Sequence, residues 1–99
     1  LGRHTEAERT LRGVLASSVA QRPEPNPIAD RARLFLGRVL LDEGRVTEAE
    51  PLLLGVLNTR RPTLSIASRR LAVRSLQELY GSEGRADEAA RVQAFAVAH

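Results

Sequence analysis

One short motif occurs three times in this sequence, and its spacing constrains the fold more than any other feature. Residues 2–8 read GRHTEAE, residues 44–50 read GRVTEAE, and residues 84–90 read GRADEAA. The first glycines of the copies lie 42 and then 40 residues apart. Self-similarity at such a period is typical of repeat proteins, in which each unit packs mainly on its neighbours. We therefore expect an array of similar units.

Apolar residues between the motif copies recur every three or four residues, which predicts amphipathic helices. Ala7, Leu11, Val14 and Leu15 show this spacing in the first segment. No segment alternates apolar and polar residues over a sustained stretch, so we expect no β-strand. The predicted fold is all-α, with five helices in antiparallel pairs. They span residues 5–20, 27–42, 47–58, 63–82 and 87–97.

Leu34 and Leu41 broaden the apolar stripe of the second predicted helix, so we expect this helix to be buried on more than one side. The stripe consists of Ile28, Ala32, Phe35, Leu36, Val39 and Leu40.

Glycine, proline and asparagine mark the ends of the predicted helices. Asn26 followed by Pro27 predicts an N-cap and the first residue of the second helix. Gly44 is expected to adopt the left-handed conformation that ends a helix and turns the chain. Gly13 lies inside the first helix, where we expect it to mark a close approach between helices.

The paired glutamates of the motif have a structural interpretation. Thr5 with Glu8, and Thr47 with Glu50, have the spacing of a capping box, in which hydroxyl and carboxylate each accept a backbone N–H. Negative charge also suits the positive end of the helix macrodipole. We interpret these carboxylates as caps and not as an acid–base pair.

The composition disfavours several classes of function. The chain has 99 residues and a net charge of +3. It contains no cysteine, so it offers neither a disulfide framework nor a thiolate metal site. No apolar run approaches the roughly 20 residues of a membrane span, and no signal-peptide pattern opens the chain. All 15 basic residues are arginines spread along the chain, and three residues are aromatic, so nucleic acid is an unlikely ligand. We expect a cytoplasmic protein with the arginine-rich composition typical of GC-rich bacterial genomes.

Aligned on its three motif copies, the chain resembles the tetratricopeptide repeat family over nearly all its length. Its 40–42-residue spacing is similar to the longer repeats of kinesin light chains and to the C-terminal arrays of bacterial serine/threonine protein kinases. HEAT-type repeats share this period and are the alternative among helical solenoids. The positions that match the family's pattern of large and small residues include Leu36, Gly37, Leu40, Ala49, Leu53, Leu76, Tyr80, Gly84, Ala89 and Ala96.

This resemblance implies a right-handed helical-repeat solenoid of about two and a half repeats, forming one domain over residues 1–99. Residues 1–22 would hold helix B of the first repeat, residues 27–59 the second repeat, and residues 63–99 the third. Because helix A of the first repeat is missing, we expect the chain to be a fragment of a longer protein.

The resemblance also implies a function in protein–protein interaction. A partner peptide or protein would lie along the concave face, which the A helices line, and an attachment to a bacterial signalling protein would fit the same resemblance. Arg38 and Arg74 would face one groove and bind acidic groups of the partner; a solvated charged face is the alternative. The residues expected on this face are Arg31, Leu34, Arg38, Leu41, Asp42, Leu71, Arg74, Ser75 and Glu78.

Catalysis is not expected, because His4 and His99 have no partners at the spacing that a metal or catalytic site needs. We expect no cofactor and no metal. A second hypothesis is structural: the segment caps a longer solenoid or self-associates, because the first helix lacks the helix it should pack on. Ala7, Leu11 and Val14 would then be partly uncovered.

Overall fold

The computed structural model describes residues 2–23, 26–57 and 65–98, which form five α-helices. No β-strand occurs within these ranges, so the all-α prediction is confirmed. The predicted end of the third helix at residue 58 and the predicted start of the fourth at residue 63 lie outside the described residues. The helices are α1 (Gly2–Gln21), α2 (Pro27–Asp42), α3 (Val46–Leu57), α4 (Ile66–Ser82) and α5 (Ala86–Ala98).

The core lies between α2, α3 and α4. Each helix packs against the next one along the chain, and α2 also packs against α4. Val92 adds one buried side chain from α5, whereas α1 contributes only the partly buried Leu11 and Leu15. The largest fully buried apolar side chains are Leu34, Leu36, Leu40, Leu53, Leu76 and Leu79.

One glycine allows α2 and α3 to approach closely. A Cβ atom placed on Gly37 would lie 2.8 Å from Cγ of Leu53, a side chain with no exposed surface. Gly13 was expected to have this role, and that expectation is wrong: a Cβ atom there would meet nothing within 4 Å. Gly13 lies on an exposed part of α1, where no neighbouring helix covers it.

The second and third motif copies make the same turn. Gly44 and Gly84 have positive φ angles of 78° and 70°, as expected for residues that end a helix in the left-handed conformation. After α2, the amide of Arg45 donates to the carbonyl of Leu40 at 2.8 Å, and the amide of Gly44 donates to that of Leu41 at 2.9 Å. These two bonds satisfy carbonyls that the helix end leaves free. The first copy differs, because Gly2 is already helical.

The start of α2 is fixed by its predicted N-cap. The Asn26 side chain accepts a hydrogen bond from the amide of Ala29 at 3.1 Å, and Pro27 is the first helical residue. Asn26 is fully buried, and its Nδ2 also donates to the carbonyl of Ser18 at 3.0 Å. One side chain therefore caps α2 and ties it to the end of α1.

The capping-box interpretation of the motif is wrong. α1 begins at Gly2 and α3 at Val46, so Thr5 and Thr47 lie inside helices and cannot be their N-caps. Glu8 accepts hydrogen bonds from Arg12 at 2.8 Å and from Arg45 at 2.6 Å. Because the helices begin earlier than predicted, these carboxylates are aligned with arginines and not with backbone amides.

The motif carboxylates instead join successive copies of the motif. Arg45 of the second copy binds Glu8 of the first, and Arg85 of the third binds Glu50 of the second at 3.0 Å. Each arginine also binds the glutamate three residues later, Glu48 or Glu88, within its own copy. The arginine therefore bridges two neighbouring copies in the same way at both junctions.

Candidate functional site

One strip of α2 faces away from the other helices. α2 packs against α1, α3 and α4, so only its remaining side is open. Ile28 and Phe35 are 49% and 40% exposed on this side, so their prediction as core residues is wrong. Their spacing from Arg31, Arg38 and Asp42 follows the helical period, which places all five on one strip. This spacing is visible in the sequence and was the signal that could have identified both apolar residues.

Arg38 connects this strip of α2 to α4. Its guanidinium lies 2.7 Å from Oε2 of Glu78 and 3.1 Å from Oδ1 of Asp42. It also donates to the hydroxyl of Ser75 at 3.4 Å. The hydrogen bond with Glu78 is the main cause of a raised Arg38 pKa, and burial opposes it. The structure thus brings together four of the predicted surface residues, but as a cluster in which Arg38 is already paired and not as a free anion site.

Four of the predicted surface residues are less accessible than expected. Leu34 and Ser75 have no exposed surface, so their placement on an open binding face is wrong. Leu34 belongs to the apolar core, and Ser75 lies beneath the guanidinium of Arg38. Leu41 and Leu71 are half-buried because they pack against the same core.

Three exposed arginines of α2 and α4 remain available to a ligand. Arg31 on α2 and Arg74 on α4 are exposed, as the sequence predicted. Arg70 is also exposed one turn before Arg74, a residue that sequence reasoning missed although the spacing of four indicates a shared face. In the described parts of the chain, none of the three makes a hydrogen bond or ion pair.

The surface can therefore offer two kinds of contact. Ile28 and Phe35 provide apolar area, and an aromatic side chain contributes much contact at little entropic cost. Arg31, Arg70 and Arg74 provide guanidinium groups that bind carboxylates in bidentate geometry. The Arg38 cluster, in which one guanidinium faces two carboxylates, forms an acidic boundary next to them. We call the surface formed by these six residues the α2–α4 face: Ile28, Arg31, Phe35, Arg38, Arg70 and Arg74.

The described residues show no feature of a metal site or a membrane span. They contain no group of three or more histidine, cysteine or acidic side chains placed to hold a metal ion. Among their helices, none combines the length and apolar character needed to cross a bilayer. Comparisons of the chain with protein-family models, curated proteins and solved structures found no match.

Proposed function

We propose that this chain is a tetratricopeptide-like interaction module that binds a segment of a partner protein on its α2–α4 face. Its helices would stack as antiparallel pairs in a right-handed solenoid. The repeated bridges between motif copies support this arrangement, because Arg45 with Glu8 and Arg85 with Glu50 join the N-terminal ends of α1, α3 and α5. Repetition of one contact at a fixed period is the basis of solenoid stacking.

The proposal rests mainly on one observation: the 40% exposed Phe35 lies one helical turn from Arg31, an exposed arginine of α2 that has no acidic partner in the described chain. An exposed aromatic ring beside free guanidinium groups favours a ligand with apolar and acidic side chains. Arg38 contributes less than the sequence suggested, because an acidic ligand must displace Glu78 or Asp42 to reach it. We therefore assign carboxylate binding to Arg31, Arg70 and Arg74.

Selection of peptides from a random display library on the immobilised chain tests this proposal. We expect the selected peptides to be enriched in aspartate or glutamate next to a large apolar residue. A labelled synthetic copy of the most enriched peptide then reports affinity by fluorescence anisotropy. Replacement of Phe35 by Ser should weaken its binding, because the ring is the largest exposed apolar group of the face.

Matched charge variants distinguish an effect of the α2–α4 face on binding from an effect of the net charge of the chain. Arg31→Glu/Arg74→Glu removes two cations from the α2–α4 face, whereas Arg9→Glu/Arg91→Glu makes the same charge change at exposed positions of α1 and α5. A hydrogen bond to a charged group contributes about 1.5–3 kcal/mol, so the first variant should lose more than about tenfold in affinity. The second should bind as the parent does. Equal affinities of the two variants, or selected peptides without acidic residues, would contradict the proposal.

A further inference from the structure

α1 and α3 are equivalent helices whose burial differs. A shift of 42 residues relates their motif copies, and it places Leu11 on Leu53 and Val14 on Val56. Val56 is 3% exposed, whereas Val14 is 41% exposed. Leu53 has no exposed surface, whereas Leu11 is half-buried. The same apolar pattern is therefore covered in α3 and partly uncovered in α1.

The internal repeat identifies the missing cover. α3 packs between α2, which precedes it, and α4, which follows it. Among the described helices, α1 packs against α2, which follows it, and otherwise reaches α3 through an ion pair of Arg12 with Glu48 at 3.6 Å. The contact of α1 with α2 thus corresponds to that of α3 with α4. What α1 lacks is the equivalent of α2, the helix that sets Gly37 against Leu53.

A charged residue at the start of α1 supports the same conclusion. Arg3 occupies the motif position of Arg45 and Arg85, each of which binds a glutamate of the preceding copy. Arg3 is exposed and makes no ion pair within the described ranges. At the other end of the array, Ala90 stands where the earlier copies have Glu8 and Glu50. The α5 end of a second copy therefore lacks the acceptor that Arg3 would need.

We infer that the uncovered face of α1 receives a helix of the α2 kind, joined to Gly2 by the turn that Gly44 makes after α2. Gly2-Arg3 repeats Gly44-Arg45, so the turn sequence is already present. The occupant would present an apolar stripe with a small residue opposite Leu11, as Gly37 lies opposite Leu53.

A chimera tests the inference with a probe taken from the chain itself. A copy of residues 27–43 replaces Leu1, so that the copied helix runs directly into Gly2 and recreates the α2–turn–α3 sequence. Hydrogen exchange of the α1 amides is compared with that of the parent chain. Covering the half-exposed apolar side chains of α1 should slow exchange by about tenfold or more, because local opening must then expose that surface again.

The control is the same chimera with the glycine of the copy that corresponds to Gly37 replaced by leucine. This change keeps length, charge and helix-forming residues but blocks the close approach, so the gain in protection should be lost. Equal protection in both chimeras, or no gain in either, would overturn the inference. Sedimentation and hydrogen exchange of the parent at rising concentration provide a second measurement. If dimerisation protected the α1 amides, the face would belong to a second copy, which would also overturn it.

Discussion

Arg85 binds both carboxylate oxygens of Glu50, with two N–O distances of 3.0 Å across a separation of 35 residues. The same guanidinium lies 4.7 Å from the centre of the Tyr80 ring, whose hydroxyl donates to Glu50 at 2.9 Å. One carboxylate on α3 is therefore held by α4 and by the residue just before α5. This arrangement fixes the junction between the second and third motif copies by hydrogen bonds as well as by apolar packing.

Replacement of Tyr80 by Phe should reduce the free energy of unfolding by about 1–2 kcal/mol, because a buried hydroxyl loses its bond to a charged acceptor. Urea denaturation measures this change. In a Glu50→Gln background the same replacement should cost less, because the acceptor is then uncharged. An equal cost in both backgrounds would assign the effect to packing of the ring.

Tyr80 should also make the fold sensitive to alkali. Burial, followed by the hydrogen bond to Glu50, raises the pKa of Tyr80 from 10.0 to about 12. A raised pKa means that the unfolded chain loses this proton first, so stability is full below pH 10 and falls as the pH rises towards 12. Denaturation midpoints at increasing pH should show this decline in the parent and a smaller one in Tyr80→Phe.

Acid should weaken the ion pairs that the motif arginines make within and between the copies. The arginines lower the pKa of three glutamates: Arg12 and then Arg45 act on Glu8, Arg45 acts on Glu48, and Arg85 acts on Glu88. Because the folded state lowers their pKa, these ionised carboxylates stabilise the folded chain at pH values above the ordinary pKa of 4.5. This stabilisation is lost as the pH falls below 4.5 and the carboxylates take up protons.

Urea midpoints between neutral pH and pH 3 measure the acid effect. Glu88→Gln should flatten the decline, because one of the linked carboxylates is gone. Glu6→Gln is the matched control, since Glu6 is exposed and makes no ion pair within the described ranges, and it should leave the decline intact. An unchanged decline in Glu88→Gln would show that the pair of Arg85 with Glu88 does not contribute.

Two glycines should respond to alanine in opposite directions. Gly37→Ala places a Cβ atom against Cγ and Cδ2 of the buried Leu53, so we expect a loss of about 1–3 kcal/mol from overpacking. Gly13→Ala adds a methyl group in open space on a helix and should stabilise by about 0.5–1 kcal/mol. Urea denaturation of both variants checks the prediction. If Gly37→Ala left the free energy of unfolding unchanged, α2 and α3 would be able to move apart without loss of stability.

The two N-caps should differ in importance. Asn26 is buried and binds both Ala29 and the carbonyl of Ser18, whereas Ser65 is an exposed cap that accepts from the amide of Ser68 at 3.1 Å. Asn26→Ala removes the cap of α2 and one of the two hydrogen bonds that the Ser18 carbonyl accepts, the other coming from the amide of Arg22, so we expect a loss of about 2 kcal/mol. Ser65→Ala should cost about 1 kcal/mol. Similar losses would show that the bond to Ser18 adds little.

The sequence alone determined the all-α class, the N-cap at Asn26 and the left-handed turn at Gly44. These features depend on neighbours along the chain: apolar period, a side chain reaching an amide three residues on, and a glycine that accepts positive φ. The sequence also indicated that Ala7, Leu11 and Val14 lie on a partly uncovered helix. In the structure these three side chains are half-buried or exposed, as expected.

Only the tertiary structure decided which side of each helix is open and which charges are paired. The helical spacing places Phe35 on one strip with Arg31 and Arg38, but whether that strip faces outwards while Leu34 is buried depends on the three helices around α2. Arg38 looked free in the sequence, yet Glu78 lies 40 residues away along the chain and 2.7 Å away in space. Local patterns specify a helix and its caps, whereas the partner of a long charged side chain depends on packing between distant segments.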